Sequence, residues 1–541
     1  MIEGTLTTVH TTAIHTFQHS PLLFLSAALI LVTLVYILAT ELYRARARIP
    51  GYTGPRGLPV IGNLHQIRSN AAEQYRRWAR IHGPVYQIML GNVPVIVVNS
   101  AKAAREIFGA NSQALASRPE FYTFHKVVSS TAGTTVGTSP FSESLKRRRK
   151  GAASALNKPS VNSYVPLIDT ETRDFVREFL EYGDAGRRKV DPMPMIQRLS
   201  LSLALTLNWG VRMKTQDDDL FHEITEVEEE VSKFRSTTGN LQDYVPLLRW
   251  VPGWLKGGGS ARAGEYRRRR DVYLKRLNGD LEQRMAEGWE GKCIQANVMR
   301  DREARLNAEE LTSISLTMLS GGLDTLTTLV AWSMALLAER PDVQQKAVDE
   351  IRKVYTAEQI LCDAYDDQSI PYLVALVKEL LRYYTVLRLS LPRATVKDIV
   401  WEGKRIPSGS VVFLNAWSCN MDDTVWKDPE EFRPERWLAE DAYDAPLFTY
   451  GLGYRMCAGS LLANREMYTI YLRLLNAFSI ENVEAEDGGK IDTHPVRGVT
   501  DPTQLVAVPV RYRVQVVPRD LDGLRKALAE DIDEKVYQKS N

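Results

Sequence analysis

Glycines around a single cysteine, set directly before a helix, constrain this chain more than any other stretch. Residues 450–459 read Tyr-Gly-Leu-Gly-Tyr-Arg-Met-Cys-Ala-Gly. From Ser460 to Phe478, Leu461, Leu462, Met467, Ile470, Leu472 and Leu475 recur at three- to four-residue steps, the period of a helix. Glycine lets the backbone enter φ > 0 and approach a partner closely. A sulfur at a helix N-terminus meets free N–H groups and the positive dipole end, which favours thiolate over thiol. Such a thiolate suits haem iron, toward which it pushes electron density. Two plainer readings stand beside this one. A lone cysteine is commonly a small buried hydrophobe. A Gly-x-Gly pair also opens dinucleotide loops, although Met456 stands where that motif needs its third glycine.

Pro21 to Thr40 is the second constraint. It is uncharged, rich in Leu, Ile, Val and Ala, and about 20 residues long, enough to span a bilayer. Arg44, Arg46 and Arg48 follow it, and residues 1–20 contain no Lys or Arg. The positive-inside rule puts the bulk of the chain in the cytoplasm and the N-terminus across the membrane. A cleaved signal peptide is the alternative, but its apolar core is usually shorter and preceded by basic residues. The four cysteines (293, 362, 419 and 457) are far apart and contain no Cys-x-x-Cys pair. That argues against zinc and a disulfide framework and fits a reducing compartment. A net charge of +2 excludes a general polyanion binder.

Between these landmarks the chain reads as mostly helical. Ile49 to Pro59 is a stiff Pro/Gly hinge. Asn70 to His82 reads as a helix, and Val85–Leu90 and Val93–Asn99 as a hairpin across Gly91-Asn92. Lys146-Arg147-Arg148-Arg149-Lys150 is a solvated face or, in a nuclear protein, a nucleic-acid patch; the anchor argues against the latter. Asp243 to Ser260 is apolar and turn-rich, with Trp250 and Trp254, and reads as a packed loop. Leu311 to Glu339 reads as a long helix stopped by Arg340-Pro341. Gly321-Gly322 lies at its centre, at a cost of about 1 kcal/mol per glycine relative to Ala. Close approach of a flat cofactor, or close helix packing, accounts for tolerating that cost. Asp324-Thr325 follows as an acid beside an alcohol. Glu379 and Arg382 lie on one side of another helix, ordinarily a weak surface pair. Arg393–Trp401 and Arg405–Asn415 read as strands about Gly403, Leu505–Val517 as closing strands, and 519–541 as a charged tail.

Together these stretches resemble the cytochrome P-450 family. Gly453, Arg455, Cys457 and Gly459 match its Phe-x-x-Gly-x-Arg-x-Cys-x-Gly loop, with Tyr450 in place of phenylalanine. Gly321-Gly322-Leu323-Asp324-Thr325 resembles its oxygen-activating helix, with Leu326 departing at the last place. Glu379, Arg382 and Arg436 resemble its Glu-x-x-Arg plus Pro-x-Arg cluster. The resemblance implies a mainly α fold with small β-sheets enclosing haem b, and an N-terminal transmembrane helix. Cys457 is then the iron ligand, and Gly453 and Gly459 shape the cofactor loop. Arg149, Arg393 and Arg455 become cofactor-binding residues, and Asp324 and Thr325 catalytic ones that deliver protons to dioxygen. Arg149 occupies the arginine place of the family's Trp-x-x-x-Arg, but Leu145 replaces the tryptophan. The implied layout is a lumenal segment 1–20, an anchor 21–40, a hinge 41–62, a catalytic domain 63–518 and the tail. Localisation in the endoplasmic reticulum follows from the same resemblance. So do electrons from NADPH through a separate NADPH–cytochrome P450 reductase, because the chain has no dinucleotide loop or flavin module. The remaining basic residues near 146–150 face that acidic partner in this reading, and the loop before Ser260 touches the membrane.

Finer matches point to a branch. The stretches 139–159, 321–325 and 455–464 resemble fungal phenylacetate hydroxylases, which insert one oxygen into the ring of an aromatic acid. Tailoring oxidation of another aromatic metabolite is the alternative substrate reading. A haem isomerase or dehydratase of the same fold, and a membrane-anchored binding protein without haem, are the alternative classes. Asp324-Thr325 argues against the first and the cysteine loop against the second. Arg388, in the largely apolar Val386–Leu391, has two readings: it grips a substrate carboxylate, or it pairs with a haem propionate or a protein acid.

Overall fold

The computed structural model describes residues 21–129, 134–236, 239–250, 259–291, 293–301, 305–442 and 445–529. The predicted segment 1–20, residues 251–258 of the Trp254 loop and the end of the tail lie outside them.

Helix α1 spans Pro21–Ala47 and continues past the expected end at Thr40, because nothing from Glu41 to Ala47 breaks a helix. Leu25–Ala47 is long and apolar enough to cross a membrane by length and composition, and little of it is buried. Its basic end is tied to the globule, where Arg44 Nη1 donates to Leu58 O at 3.1 Å. The hinge is pinned by Gln87, whose Nε2 donates to Ile49 O (2.9 Å) and whose Oε1 accepts from Ile49 N (3.0 Å). Gly54 is required there, since a Cβ would lie 1.7 Å from Gln87 O.

Local capping starts the helices that frame the site. Helix α2 (Ala71–His82) begins at Asn70, whose side chain accepts from Glu73 N. Helix α3 (Glu143–Ala155) is capped by Ser142. Helices α4 (Met193–Trp209) and α5 (Asp219–Phe234) follow. Helix α6 spans Ala308–Glu339, three residues earlier than predicted, because Asn307 and Glu310 form a capping box. It ends where Pro341 disfavours helical backbone at Arg340. Apolar all round, α6 runs through the core against α3 and α4, as a buried helix does. Helices α7 (Pro371–Tyr384) and α8 (Ser460–Ala477) pack on its far half. Trp332 of α6 stacks on Tyr384 of α7 at 4.6 Å between ring centroids. Helix α9 (Leu521–Ala529) opens the charged tail.

The sheets are smaller than predicted. Strands β1 (Val85–Leu90) and β2 (Val93–Val98) form the expected hairpin. Neither long strand about Gly403 forms. Instead the segment divides into β3 (Arg393–Ala394), β4 (Ile399–Trp401), β5 (Lys404–Ile406) and β6 (Val411–Leu414). Pro407, which lacks an N–H, and Gly409 at φ +84° interrupt the second stretch. The order of the larger sheet is β1-β2-β6-β3, with β6 parallel to β2 in the register Val95↔Val411 to Val98↔Leu414. Strands β4 and β5 form a separate hairpin whose turn residues Glu402 and Gly403 both have positive φ. Of Leu505–Val517 only the last part is a strand: β8 (Tyr512–Pro518) pairs antiparallel with β7 (Phe478–Ala485).

Candidate functional site

The cysteine loop is shaped by two glycines with positive φ, Gly451 (+70°) and Gly453 (+63°). A Cβ at Gly453 would lie 2.5 Å from both Phe108 O and Ser112 Cβ, so the loop seats tightly against the segment before Ser117. Cys457 N donates to Tyr450 O at 2.9 Å, which closes the loop before α8 begins. Cys293 and Cys419 are buried, Cys362 is partly covered, and Cys457 is exposed. The helix-terminus expectation of a thiolate is not met by the protein alone. The surface of Cys457 is open, yet the protein surrounding it at longer range disfavours charge and pushes the thiol up, against the pull of Gly459 N–H and the Arg149 cation. The Tyr450 hydroxyl donates to Asn464 Oδ1 at 2.7 Å.

Four arginines converge beside this loop. Arg455 donates to the carbonyls of Ala116 (2.8 Å), Ser139 (3.0 Å), Val136 (2.9 Å) and Gly137 (3.1 Å). Arg393 donates to Leu452 O at 3.0 Å, and Arg149 lies over the Tyr454 ring at 5.2 Å. The fourth, Arg118, donates to Gly137 O (2.9 Å) and Pro392 O (2.8 Å). Sequence reasoning missed it, because Ser117-Arg118-Pro119 carries no motif. Burial pushes Arg393 and Arg455 down to about 9, with neighbouring arginines adding to the effect in both. Burial also lowers Arg118, and Arg393, Arg455 and Arg149 press it further in the same direction. Among the described residues, none of the four makes an ion pair with Asp or Glu. Buried cations that lack counter-charges are strongly unfavourable, so these four could hold an external anion. Two carboxylates on one flat group, as haem carries, fit them. Leu145 is fully buried and offers no donor, and Arg149 lies close to Arg393 and Arg455.

The centre of α6 carries the paired glycines. A Cβ at Gly321 would meet nothing within 4 Å, and one at Gly322 only Ala204 Cβ at 3.6 Å. Helix packing therefore does not demand Gly321, and the surface there is open to a flat group. Thr325 Oγ1 donates to Gly321 O at 2.6 Å. Asp324 turns toward α5, where its Oδ2 accepts from Arg235 Nη2 at 3.0 Å. Asp324 and Thr325 are thus neighbours in sequence with separate partners. Burial pushes the Asp324 carboxyl up to about 7, helped by Glu228 and opposed by Arg235.

The basic run divides. Arg148 points inward to Ser313 Oγ (2.5 Å) and Thr134 O (2.8 Å). Arg147 pairs with Glu310 at 2.6 Å and Lys146 with Glu143 at 2.7 Å. Glu379 and Arg382 are not a surface pair, since both side chains are wholly buried. They join Nε to Oε2 and Nη2 to Oε1 at 2.8 Å each, and Arg436 Nε adds a third contact to Glu379 at 3.1 Å. Arg388 is buried. It donates to Pro495 O, lies 5.3 Å over the Trp417 ring and makes no ion pair among the described residues. Trp250 is 86% exposed, so at this position the stretch is not the packed loop that its apolar sequence suggested.

A family model described as Cytochrome P450 matches residues 53–510. The chain belongs to the cytochrome P450 family. It is similar to the 3-hydroxyphenylacetate 6-hydroxylase of Emericella nidulans, with 63% identity over 94% of this chain and 97% of the relative. It is also similar to the phenylacetate 2-hydroxylase of the same organism, at 42% over 92% and 96%. A third relative is the cytochrome P450 monooxygenase CYP3 of Mycosarcoma maydis, at 39% over 90% and 92%.

Proposed function

We propose that this chain is a haem-thiolate monooxygenase that hydroxylates the ring of a phenylacetate-class acid. The observation that carries the substrate class is the 63% identity, along nearly the whole chain, to a hydroxyphenylacetate hydroxylase. Bound haem supplies an iron that activates O2. In this reading Cys457 holds the iron, and Arg118, Arg149, Arg393 and Arg455 hold the propionates. Gly453 lets the loop seat, and Gly459 offers its N–H to the sulfur. Asp324 holds a proton near neutral pH, and Thr325 positions the hydroxyl that passes it on. Electrons come from NADPH through a separate cytochrome P450 reductase, which docks on the face carrying Lys146, Arg147 and Lys150. Residues 21–40 anchor the chain in the endoplasmic reticulum membrane with 63–518 as the cytoplasmic catalytic domain, a layout supported by the exposed apolar surface of α1.

The test is incubation of microsomes holding the chain, a reductase and NADPH with a panel of aromatic acids, with products identified by mass. Expected is one added oxygen on a phenylacetate or hydroxyphenylacetate ring, dependent on both NADPH and O2. Turnover confined to non-acidic aromatic metabolites would move the substrate class. Turnover without O2 would reject the monooxygenase reading.

A further inference from the structure

A recess opens between the end of α5 and Leu391-Pro392. Phe121, Phe124, His125, Thr138 and Arg235 line it, together with Arg118 from the arginine cluster beside the cysteine loop, whose guanidinium already donates to Gly137 O and Pro392 O. Its aromatic walls suit a planar ring, and Arg235 is the cation on the side of α6. The Arg235 guanidinium is mostly buried and spends Nη2 on Asp324 at 3.0 Å. Its Nε is buried and has no acceptor among the described residues. A buried donor left without a partner is costly, and the Nε–Nη2 edge is the one a carboxylate accepts from bidentately. The Asp324 carboxyl that shares this edge is itself held close to neutrality, so it is a weak competitor for the guanidinium.

We propose that Arg235 takes the carboxylate of an aromatic acid substrate, with the ring lying against Phe121 and Phe124. This rests on the substrate class proposed above and names the residue that recognises it. Substrate size separates Arg235 from Arg388, whose Nε is also unpartnered. One methylene joins carboxylate to ring in phenylacetate, so the gripping cation must lie within about a ring's length of the reacting carbon. Arg235 contacts Asp324, beside Thr325 and one turn from Gly321. Arg388 is held by Pro495 and Trp417, and the charge it senses is Glu73 on α2. Captured substrate also draws Arg235 away from Asp324, which ties recognition of the acid to the state of the proton donor.

The experiment titrates the haem-loaded full chain with phenylacetate and with its neutral amide, following the haem absorption shift. Arg235→Leu is expected to lose about ten- to hundredfold affinity for the acid and little for the amide. Arg235→Lys should keep part of the acid affinity, and Arg388→Leu should change neither ligand. Asp324→Asn, which removes the competing carboxylate, should tighten the acid alone and serves if Arg235→Leu does not hold haem. The proposal is overturned if Arg235→Leu weakens acid and amide equally, if acid preference moves to Arg388→Leu, or if Arg235→Lys and Asp324→Asn both leave acid affinity unchanged. A parent enzyme that binds amide as well as acid, or neither, instead rejects the substrate class, and this proposal with it.

Discussion

Glu379→Gln keeps the shape of its side chain and removes only charge, which makes it a clean probe of the cluster below the cysteine loop. The Glu379 carboxylate accepts from Arg382 Nε and Nη2 at 2.8 Å, Arg433 N and Trp437 Nε1 at 2.9 Å, and Arg436 Nε at 3.1 Å. Glutamine turns an amide NH2 toward one of these sets of donors and leaves Arg382, wholly buried, without a counter-charge. Breaking a buried ion pair from one side costs about 3–5 kcal/mol. At about 2.1 cal/mol/K of unfolding entropy per residue, a domain of this size carries roughly 1 kcal/mol/K, so Tm should fall by about 3–5 °C. Arg382 also donates to the carbonyls of Asn420, Pro429 and Glu431, so the segment leading to the cysteine loop should loosen and haem should be lost first. The assay is a thermal melt of the haem-loaded protein beside the absorption of its reduced, CO-bound form. A Glu379→Gln protein with the parent's Tm and full haem content would refute this account of the cluster.

Three further outcomes follow from the site. Cys457→Ala should abolish the thiolate-type absorption of the reduced, CO-bound protein, and survival of that band would displace Cys457 as the iron ligand. Asp324 holds its proton up to about pH 7 in the fold against an ordinary value of 3.8, so the stability this gives is present below about pH 4 and lost as pH rises through 7. The charged groups facing it from α5 are Arg235, Glu228 and Glu229. Product formed per NADPH should therefore drop as pH rises through about 7, Asp324→Asn should flatten that step, and Thr325→Ala should release peroxide at every pH; unchanged coupling in Thr325→Ala would remove the hydroxyl from the relay. Neutralising Lys146, Arg147 and Lys150 should slow reduction without changing haem content, and the parent's rate should fall with salt, since exposed charges are screened within about 10 Å at 0.1 M; a salt-insensitive rate would move the docking face.

Local chemistry made much of this legible in advance. Asn70 opens α2 and Pro341 stops α6 as expected, whereas the Ser142 and Asn307 caps were not read and α6 starts three residues early. The cysteine loop was readable because glycine, arginine and cysteine have fixed places in it. The small strands were not, because β3 to β6 owe their lengths to long-range pairing and to breaks at Pro407 and Gly409. Arg118 and Arg235 were invisible for a related reason. Each is an ordinary arginine in an ordinary local sequence, and only the convergence of distant segments gives it neighbours. Arg148 shows the reverse, a residue of a basic run that looks like surface and is drawn inward by Ser313.

The parallel pairing of β2 with β6 fixes a timetable for synthesis. Val95 leaves the ribosome long before its partner Val411. At about 5–20 residues per second that is a wait of roughly 15–60 s. Throughout it the β2 edge has open backbone groups, and α1 has already emerged to be held at a membrane. Arg455 reaches back over a similar span to the carbonyls at Ala116 and Ser139, so the arginine cluster cannot close before translation is nearly complete. A chain that stops short of Val411 therefore leaves the β2 edge unpaired, the part that chaperones must shield, and one that stops short of residue 455 lacks the arginine that ties Ala116 and Ser139 to the cysteine loop.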